Sequence, residues 1–191
     1  MKPLNAYLGL MEEARDRLLA MDTALERRTG LPPGAIKEYC FLQLRMLCEL
    51  IALRCLMAHG DLQTGKLKGK YEADKIIRGL QRLHPDFYPV AAIRTDKGPR
   101  LYEDGFLTKE ELRKLYWRCG DVLHRGSFKA HSSRQYSVAD IEEIRTWKKK
   151  IEAFSCHGIY TAGNKSMMLF YLREDGRASW EIWEPRPTEC T

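Results

Sequence analysis

Apolar side chains recur at helical spacing through most of the first 155 positions of the chain. Between Leu4 and Leu25 they return at alternating steps of three and four residues, the pattern of a helix that packs along one seam. Gly30 favours an end to this helix, and Pro32 and Pro33 favour the start of another after a short turn. The pattern therefore predicts a long first helix and a second helix antiparallel to it.

The segment from Ala35 to His59 is apolar on almost every side, which is typical of a helix surrounded by its neighbours. We expect it to be the central element of the fold. Its most apolar stretch, Cys40 to Ala58, contains three charged residues, namely Arg45, Glu49 and Arg54. Arg45 and Glu49 are four residues apart, a spacing that favours an ion pair within one helix or between two.

A third helix is predicted from about Tyr71 to Leu83, with Leu83 on its inward side. The pattern changes after it. Aromatic and β-branched residues surround a turn signal at Asp96 to Pro99. This stretch fits either a short hairpin or an extended loop.

Capping patterns mark the starts of two more helices. Thr108 with Glu111 forms a capping box for the fourth helix, which is predicted to end near Gly126. Ser137 with Asp140 gives a weaker cap for a fifth helix. The sequence thus predicts about five helices in all.

The helical period stops after Phe154, and two turn signals, Gly163-Asn164 and Asp175-Gly176, then separate three runs of aromatic and branched residues. These runs predict a three-stranded antiparallel meander. The expected fold is mainly α: an antiparallel bundle of about five helices over residues 1–155, with the meander of residues 156–191 as an α+β appendage. We expect the meander to pack on the bundle and not to form an independent domain.

A two-residue loop at the second of these turns would set the register of the last two strands. Tyr171 would then face Trp180, and Leu169 would face Ile182, all on one apolar side of the sheet. We expect this side to lie against the helices.

The composition is that of a folded soluble protein, with 44% hydrophobic and 30% charged residues. No run of about 18 uncharged apolar residues occurs, and the N-terminus lacks the apolar core of a secretory signal. We therefore expect a cytoplasmic protein with no membrane segment. Its 32 basic and 26 acidic residues leave a net charge of +6, which is compatible with a polyanionic partner.

The six cysteines include no CxxC pair. Cys40, Cys48 and Cys55 lie along one side of a helix, where thiols behave as small apolar residues. Neither metal-ligand spacing nor a glycine-rich phosphate loop is present in the sequence. We therefore expect no metal and no cofactor.

The fourth helix carries an unusual outward face. A helical wheel assigns its core stripe to Leu112, Leu115, Tyr116, Cys119, Val122 and Leu123. The opposite face holds Lys114, Trp117, Asp121, His124 and Arg125, with Arg118 at its edge. A solvated surface explains the charges, whereas an exposed tryptophan favours a partner surface or a domain contact.

The segment from Leu115 to Gly126 resembles the motif helix of HEPN-type proteins, whose ribonuclease members carry an arginine, four to six intervening residues and a histidine. Five residues separate Arg118 from His124 here. The LRMLCELIAL segment of the second helix is similar to the central helix of that superfamily. The resemblance implies a metal-independent endoribonuclease, such as a toxin or a phage-defence effector, whose Arg118 and His124 form a composite site across a homodimer.

The chemistry implied by this resemblance assigns a role to each residue. RNA supplies its own nucleophile, the 2′-hydroxyl, and His124 would transfer protons, since histidine titrates near neutrality. Arg118 would bind the phosphate oxygens, and Asp121 would orient the histidine ring. Binding to RNA or to a partner would involve Lys114, Trp117 and Arg125.

Two basic stretches flank this candidate site. Six basic residues against two acidic ones lie from Lys66 to Arg82, and six against one lie from Arg113 to Arg134. Such stretches would steer RNA, although solvent-exposed helices often carry clusters of basic residues by chance. Trp147 is a further stacking candidate, but its place in an apolar stripe favours the core.

Two other interpretations remain open. The chain would also suit a catalytically silent HEPN-like module that dimerises through the Trp117 face and binds a nucleotide, RNA or a protein partner such as an antitoxin. A third interpretation is a structural or regulatory partner of an enzyme, with the C-terminal sheet as its docking surface.

Overall fold

The computed structural model describes residues 2–59, 69, 72–124, 137–160 and 166–184 of the 191-residue chain. Within these ranges the helices are α1 (Lys2–Leu25), α2 (Pro33–Ala58), α3 (Ala73–Leu83), α4 (Lys109–Leu123) and α5 (Val138–Glu152). The strands are β1 (Val90–Ile93), β2 (Arg100–Leu101), β3 (Cys156–Tyr160), β4 (Met167–Leu172) and β5 (Ala178–Trp183). The predicted class, mainly α with a strand region, is confirmed, but the sheet has five strands and not three.

Helix α2 is the centre of the bundle, as its apolar pattern predicts. It packs against α1, α3, α4 and α5, and most of its apolar side chains are fully buried. Arg17 in the C-terminal half of α1 donates a 2.9 Å hydrogen bond to Gln43 in the N-terminal half of α2. At the other end, Tyr7 lies close enough to Cys55 for the two groups to interact electrostatically. The two helices are therefore antiparallel, as predicted.

The buried side of α3 is narrower than the sequence predicts. Ile76, Ile77 and Leu80 are completely buried, whereas Leu83 is exposed. The prediction for Leu83 is wrong because α3 ends there and the backbone becomes extended at His84, so that this side chain lies at the edge of the core. Tyr71 lies outside the described residues.

Both predicted capping boxes are present. At the start of α4, the Glu111 amide donates to Thr108 Oγ1 at 3.2 Å and the Thr108 amide donates to the Glu111 carboxylate at 3.1 Å. Ser137 and Asp140 make the same reciprocal pair at the start of α5, so this cap is complete and not weak. Helix α4 ends at Leu123, with His124 as its C-cap.

The five strands form one antiparallel sheet in the order β2-β1-β3-β4-β5. The stretch before α4, which fits a hairpin or a loop by sequence, is the β1-β2 hairpin. Its first strand pairs with β3, with Val90 opposite Gly158. The C-terminal meander would otherwise leave the backbone groups of β3 unpaired at this edge, and β1 satisfies them.

The last two strands are shifted by one residue from the predicted register. The Gly176 amide donates to Arg173 O and the Arg173 amide donates to Arg177 O, both at 2.9 Å, which makes a three-residue loop. Gly176 has a φ of 78°, the left-handed conformation that this type of loop requires. Trp180 is therefore opposite Phe170 and not opposite Tyr171.

The register shift also corrects which side of β4 lies on the bundle. Phe170 stacks on Tyr7 of α1, with 4.1 Å between ring centroids, and Met11 and Ile159 complete this small core. Side chains alternate along a strand, so Leu169 faces the other side of the sheet. The meander does pack on the helices, but through the side of β4 opposite to the predicted one, whereas Trp180 and Ile182 of β5 are on the predicted side.

The cysteines behave as apolar residues. Cys40, Cys48, Cys55 and Cys119 are buried thiols, and burial raises the pKa of each, to about 11 for Cys40 and about 12 for Cys119. Cys156 is half-buried, and Cys190 lies outside the described residues. None of the helices in the described ranges is long and apolar enough to cross a membrane.

Candidate functional site

The outward face of α4 is open to solvent. Lys114, Asp121 and His124 are exposed, and Trp117 is 60% exposed. A large aromatic side chain among charged ones is typical of an interaction surface. Arg125, the last predicted member of this face, lies outside the described residues.

Arg118 is held by α5. Its Nε donates to Glu143 Oε1 and its Nη2 donates to Glu143 Oε2, each at 3.0 Å. The guanidinium and the carboxylate therefore form a two-point contact. The guanidinium carbon also lies 5.4 Å from the centre of the Phe41 ring. The hydrogen bond to Glu143 is the main reason why the pKa of Arg118 is raised. Arg118 therefore braces two helices in this structure.

His124 occupies the C-terminal end of α4, six residues beyond Arg118. That spacing corresponds to about 9 Å along a helix and about 120° around it. The His124 amide donates to Gly120 O at 2.9 Å. Its ring lies over Gly120, with Cδ2 3.8 Å from the point that a Cβ at this glycine would occupy.

Arg45, and not Arg118, lies near the same Cβ position of Gly120. Nη1 of Arg45, from the central helix α2, lies 3.6 Å from the same Cβ position at Gly120. An imidazole and a guanidinium therefore flank one residue of α4 that has no side chain. Glycine at position 120 leaves room for both side chains. An alanine there would make ordinary van der Waals contact with them and would not displace them.

Arg45 is fixed from two directions. Its Nη2 donates to Tyr116 Oη at 2.9 Å, and its Nε lies 3.5 Å from Glu49 Oε1. The predicted ion pair between Arg45 and Glu49 is thus confirmed. Burial raises the pKa of Tyr116, against the opposing effect of the Arg45 charge, so the phenol is a neutral anchor near neutral pH. The remaining nitrogen, Nη1, is the one that faces Gly120.

The chemical capacity of this arrangement follows from its two charged or titratable groups. An imidazole transfers protons, and a guanidinium binds phosphate oxygens and stabilises added charge on them. Sequence reasoning did not place Arg45 beside His124, because the two residues belong to different helices and are far apart in the chain. Only the packing of α2 on α4 places the two side chains together.

The basic stretches carry less uncompensated charge than their composition suggests. Arg78 and Arg113 both bind the carboxylate of Asp74, at 3.1 Å and 2.6 Å, and Lys75 pairs with Glu72. Several other predicted members lie outside the described residues: Lys66, Lys68, Lys70, Arg125, Lys129 and Arg134. Trp147 packs partly buried against the main core, as its position in the apolar stripe predicts.

Within the described ranges no three His, Cys, Asp or Glu side chains are grouped so that they could hold a metal ion. The site consists of Arg45, Glu49, Tyr116 and His124, with Asp121 and Trp117 on the adjoining surface of α4.

Comparisons of the chain with protein-family models, curated proteins and solved structures find no match.

Proposed function

We propose that this protein is a HEPN-like, metal-independent endoribonuclease that acts as a homodimer. The observation that supports the proposal best is the placement of the His124 ring and the Arg45 guanidinium around Gly120. The resemblance assigns the guanidinium to Arg118, and the contact of Arg118 with Glu143 favours Arg45 instead.

The proposed reaction is transesterification within RNA. The 2′-oxygen attacks the adjacent phosphorus, an O–P bond forms, and the bond from phosphorus to the 5′-oxygen breaks. His124 of one protomer accepts the proton of the 2′-hydroxyl, and the second copy's His124 donates a proton to the leaving 5′-oxygen. Arg45 binds the phosphate oxygens while charge accumulates on them. Asp121, three residues before His124, orients the ring.

The same face of α4 supports the proposed homodimer. Trp117 supplies the buried anchor that such an interface needs, and Lys114 and Asp121 carry opposite charges that pair across a two-fold axis. The reaction fits a toxin or a phage-defence effector, for which an antitoxin or other protein would be the controlling partner.

A catalytically silent module is the second candidate, and the Arg118–Glu143 contact favours it. In this alternative the motif arginine serves only the packing of α4 on α5. The Trp117 face then mediates dimerisation and the binding of nucleotide, RNA or protein.

Cleavage of RNA by the purified protein, with and without a chelator, distinguishes the two candidates. We expect cleavage to continue in chelator and to leave a 2′,3′-cyclic phosphate, since the nucleophile belongs to the substrate. His124→Ala abolishes turnover, and Arg45→Lys lowers it about 100-fold or more because the fork geometry is lost.

Arg118→Lys is the matched control. It keeps the charge and loses the two-point contact with Glu143, so we expect a less stable protein with near-normal cleavage. Loss of cleavage in this variant, with Arg45→Lys still active, would return the role to Arg118. A folded dimer that cleaves no RNA supports the silent module, and a need for a divalent ion contradicts the mechanism.

A further inference from the structure

A cavity of about 280 Å³ lies between α1, the end of α5 and β4. Its walls are mainly apolar, and they include Met11, Leu18, Phe154 and Leu172. One residue that lines the cavity is unusual in such apolar surroundings, namely Arg54 of the central helix α2. It is separate from the site around Gly120.

Arg54 is a buried cation that has no counter-ion among the described residues. The residue is 4% exposed, and its Nε is buried without a hydrogen-bond partner. No ion pair or hydrogen bond to its guanidinium occurs within the part of the chain that is described. Burying a charge is unfavourable in free energy unless the charge is paired. An anion bound beside Arg54 would therefore be stabilising.

The two carboxylates at the cavity rim, Asp22 and Glu152, already form ion pairs with a lysine. Lys148 Nζ lies 3.0 Å from Asp22 Oδ1 and also binds Glu152, so both carboxylates are paired with this lysine and neither forms an ion pair with Arg54. The titratable neighbours of Arg54 add no negative charge either. Burial keeps Tyr7 and Cys55 protonated by raising the pKa of each, to about 12 for Cys55, and it keeps His157 neutral by lowering its pKa to about 3.

We propose that this cavity binds a monocarboxylate with a single apolar tail of about eight carbons, whose carboxylate pairs with Arg54. The charge of Arg54 selects the anionic head, and the apolar walls select the tail. A volume of about 280 Å³ equals roughly nine water-sized groups of about 30 Å³ each, which matches a ligand of about ten non-hydrogen atoms. The volume is thus suited to a medium-chain acid.

Isothermal titration with octanoate as the probe tests the proposal on the full-length protein at pH 7. We expect saturable binding with one site per chain. Acetate, which has the head alone, and octylammonium, which has the tail with the opposite charge, should each bind at least tenfold more weakly. From hexanoate to octanoate the affinity should rise about fourfold per methylene.

Arg54→Met and Arg15→Met form a matched pair of variants. Both arginines line the cavity, but Arg15 lies at the rim and donates a hydrogen bond to Gly176 O. We expect Arg54→Met to bind octanoate about 30-fold more weakly or worse, and Arg15→Met to remain within about twofold of the wild type. Circular dichroism checks that both variants fold.

Equal losses in the two variants would overturn the proposal, because they would reflect net charge alone. Should Arg54→Met fail to fold, the wild-type comparison of octanoate with octylammonium decides the question. Equal affinity for these two probes, or no saturable binding of octanoate at millimolar concentration, contradicts the proposed site.

Discussion

Tyr7, His157 and Phe154 form a continuous hydrogen-bonded chain inside the protein. Tyr7 Oη lies 2.6 Å from His157 Nε2, and His157 Nδ1 lies 2.8 Å from the carbonyl oxygen of Phe154. A carbonyl only accepts, so Nδ1 carries the proton and Nε2 accepts from the tyrosine. Burial, strengthened by the nearby positive charge of Arg54, lowers the pKa of His157 to about 3. The ring is therefore neutral in the folded state.

His157 is expected to make the free energy of unfolding depend on pH. A histidine in the unfolded chain titrates near 6.5, so below this pH the unfolded state takes up a proton that the folded state excludes until about pH 3. Stability should consequently fall with decreasing pH in this window, by at most about 1.4 kcal/mol per pH unit. Urea unfolding of wild type and His157→Gln between pH 6.5 and 5 measures the difference in slope.

Tyr7→Phe is the control for this prediction. It removes the hydrogen bond to Nε2 and lowers stability, but it retains the titrating ring and therefore the slope. The acidic groups with a lowered pKa, Glu111 and Asp140, titrate below the chosen window. Equal slopes for wild type and His157→Gln would show that burial does not exclude the proton.

Helices α4 and α5 are joined by an ion pair near each end of their contact. Glu111 at the start of α4 binds Lys150 near the end of α5, and Arg118 farther along α4 binds Glu143 near the start of α5. The two helices are therefore antiparallel. The same arrangement explains why the motif arginine lies against α5 and not beside His124.

The Arg118–Glu143 contact should couple the two helices measurably. A double-mutant cycle with Arg118→Met and Glu143→Gln is expected to give a coupling of about 0.5–1 kcal/mol in the free energy of unfolding, because the contact is two-point but partly exposed to solvent. The coupling should shrink in 1 M salt, where charges are screened within about 3 Å. Glu142→Gln, at an exposed neighbouring position, should show none. A coupling free energy of zero at low salt would contradict the role of this contact in joining the two helices.

Across the whole molecule, the exposed face of α4 lies apart from the sheet, which packs on α1. The hydrophobic contacts of Tyr7 and Phe170 cover one side of the sheet, but nothing within the described ranges covers Trp117. An exposed tryptophan between charges of opposite sign suits a symmetric interface, where the same patch meets itself.

We expect light scattering to report a dimer at micromolar concentration and Trp117→Ala to weaken its association about tenfold or more. Trp180→Ala is the control, since Trp180 is 37% exposed and lies on the sheet, away from the proposed interface. A wild-type monomer at micromolar concentration would remove the dimer from the proposed function. Dissociation by Trp180→Ala instead would place the interface on the sheet.

Local patterns in the sequence were sufficient for the five helices and the three C-terminal strands, but not for the β1-β2 hairpin. Capping residues lie three positions apart, and helical periodicity appears within a dozen residues, so both α4 and α5 and the buried character of α2 follow from neighbours in the chain. The last hairpin shows the limit of such signals. Asp175-Gly176 identifies a turn, but a loop of two or three residues decides the register, and one residue of difference turns every side chain to the other side.

Only the tertiary structure decided which elements cover one another. The pairing of Val90 with Gly158, the approach of Arg45 to His124, and the burial of Arg54 beside an apolar cavity all join residues far apart in the chain. Periodicity shows that a side of a helix is buried, but it contains no information on which neighbour buries it. Burial and electrostatic contact depend on distance in space, so the partners of Arg118 and His124 emerge only when the helices are packed.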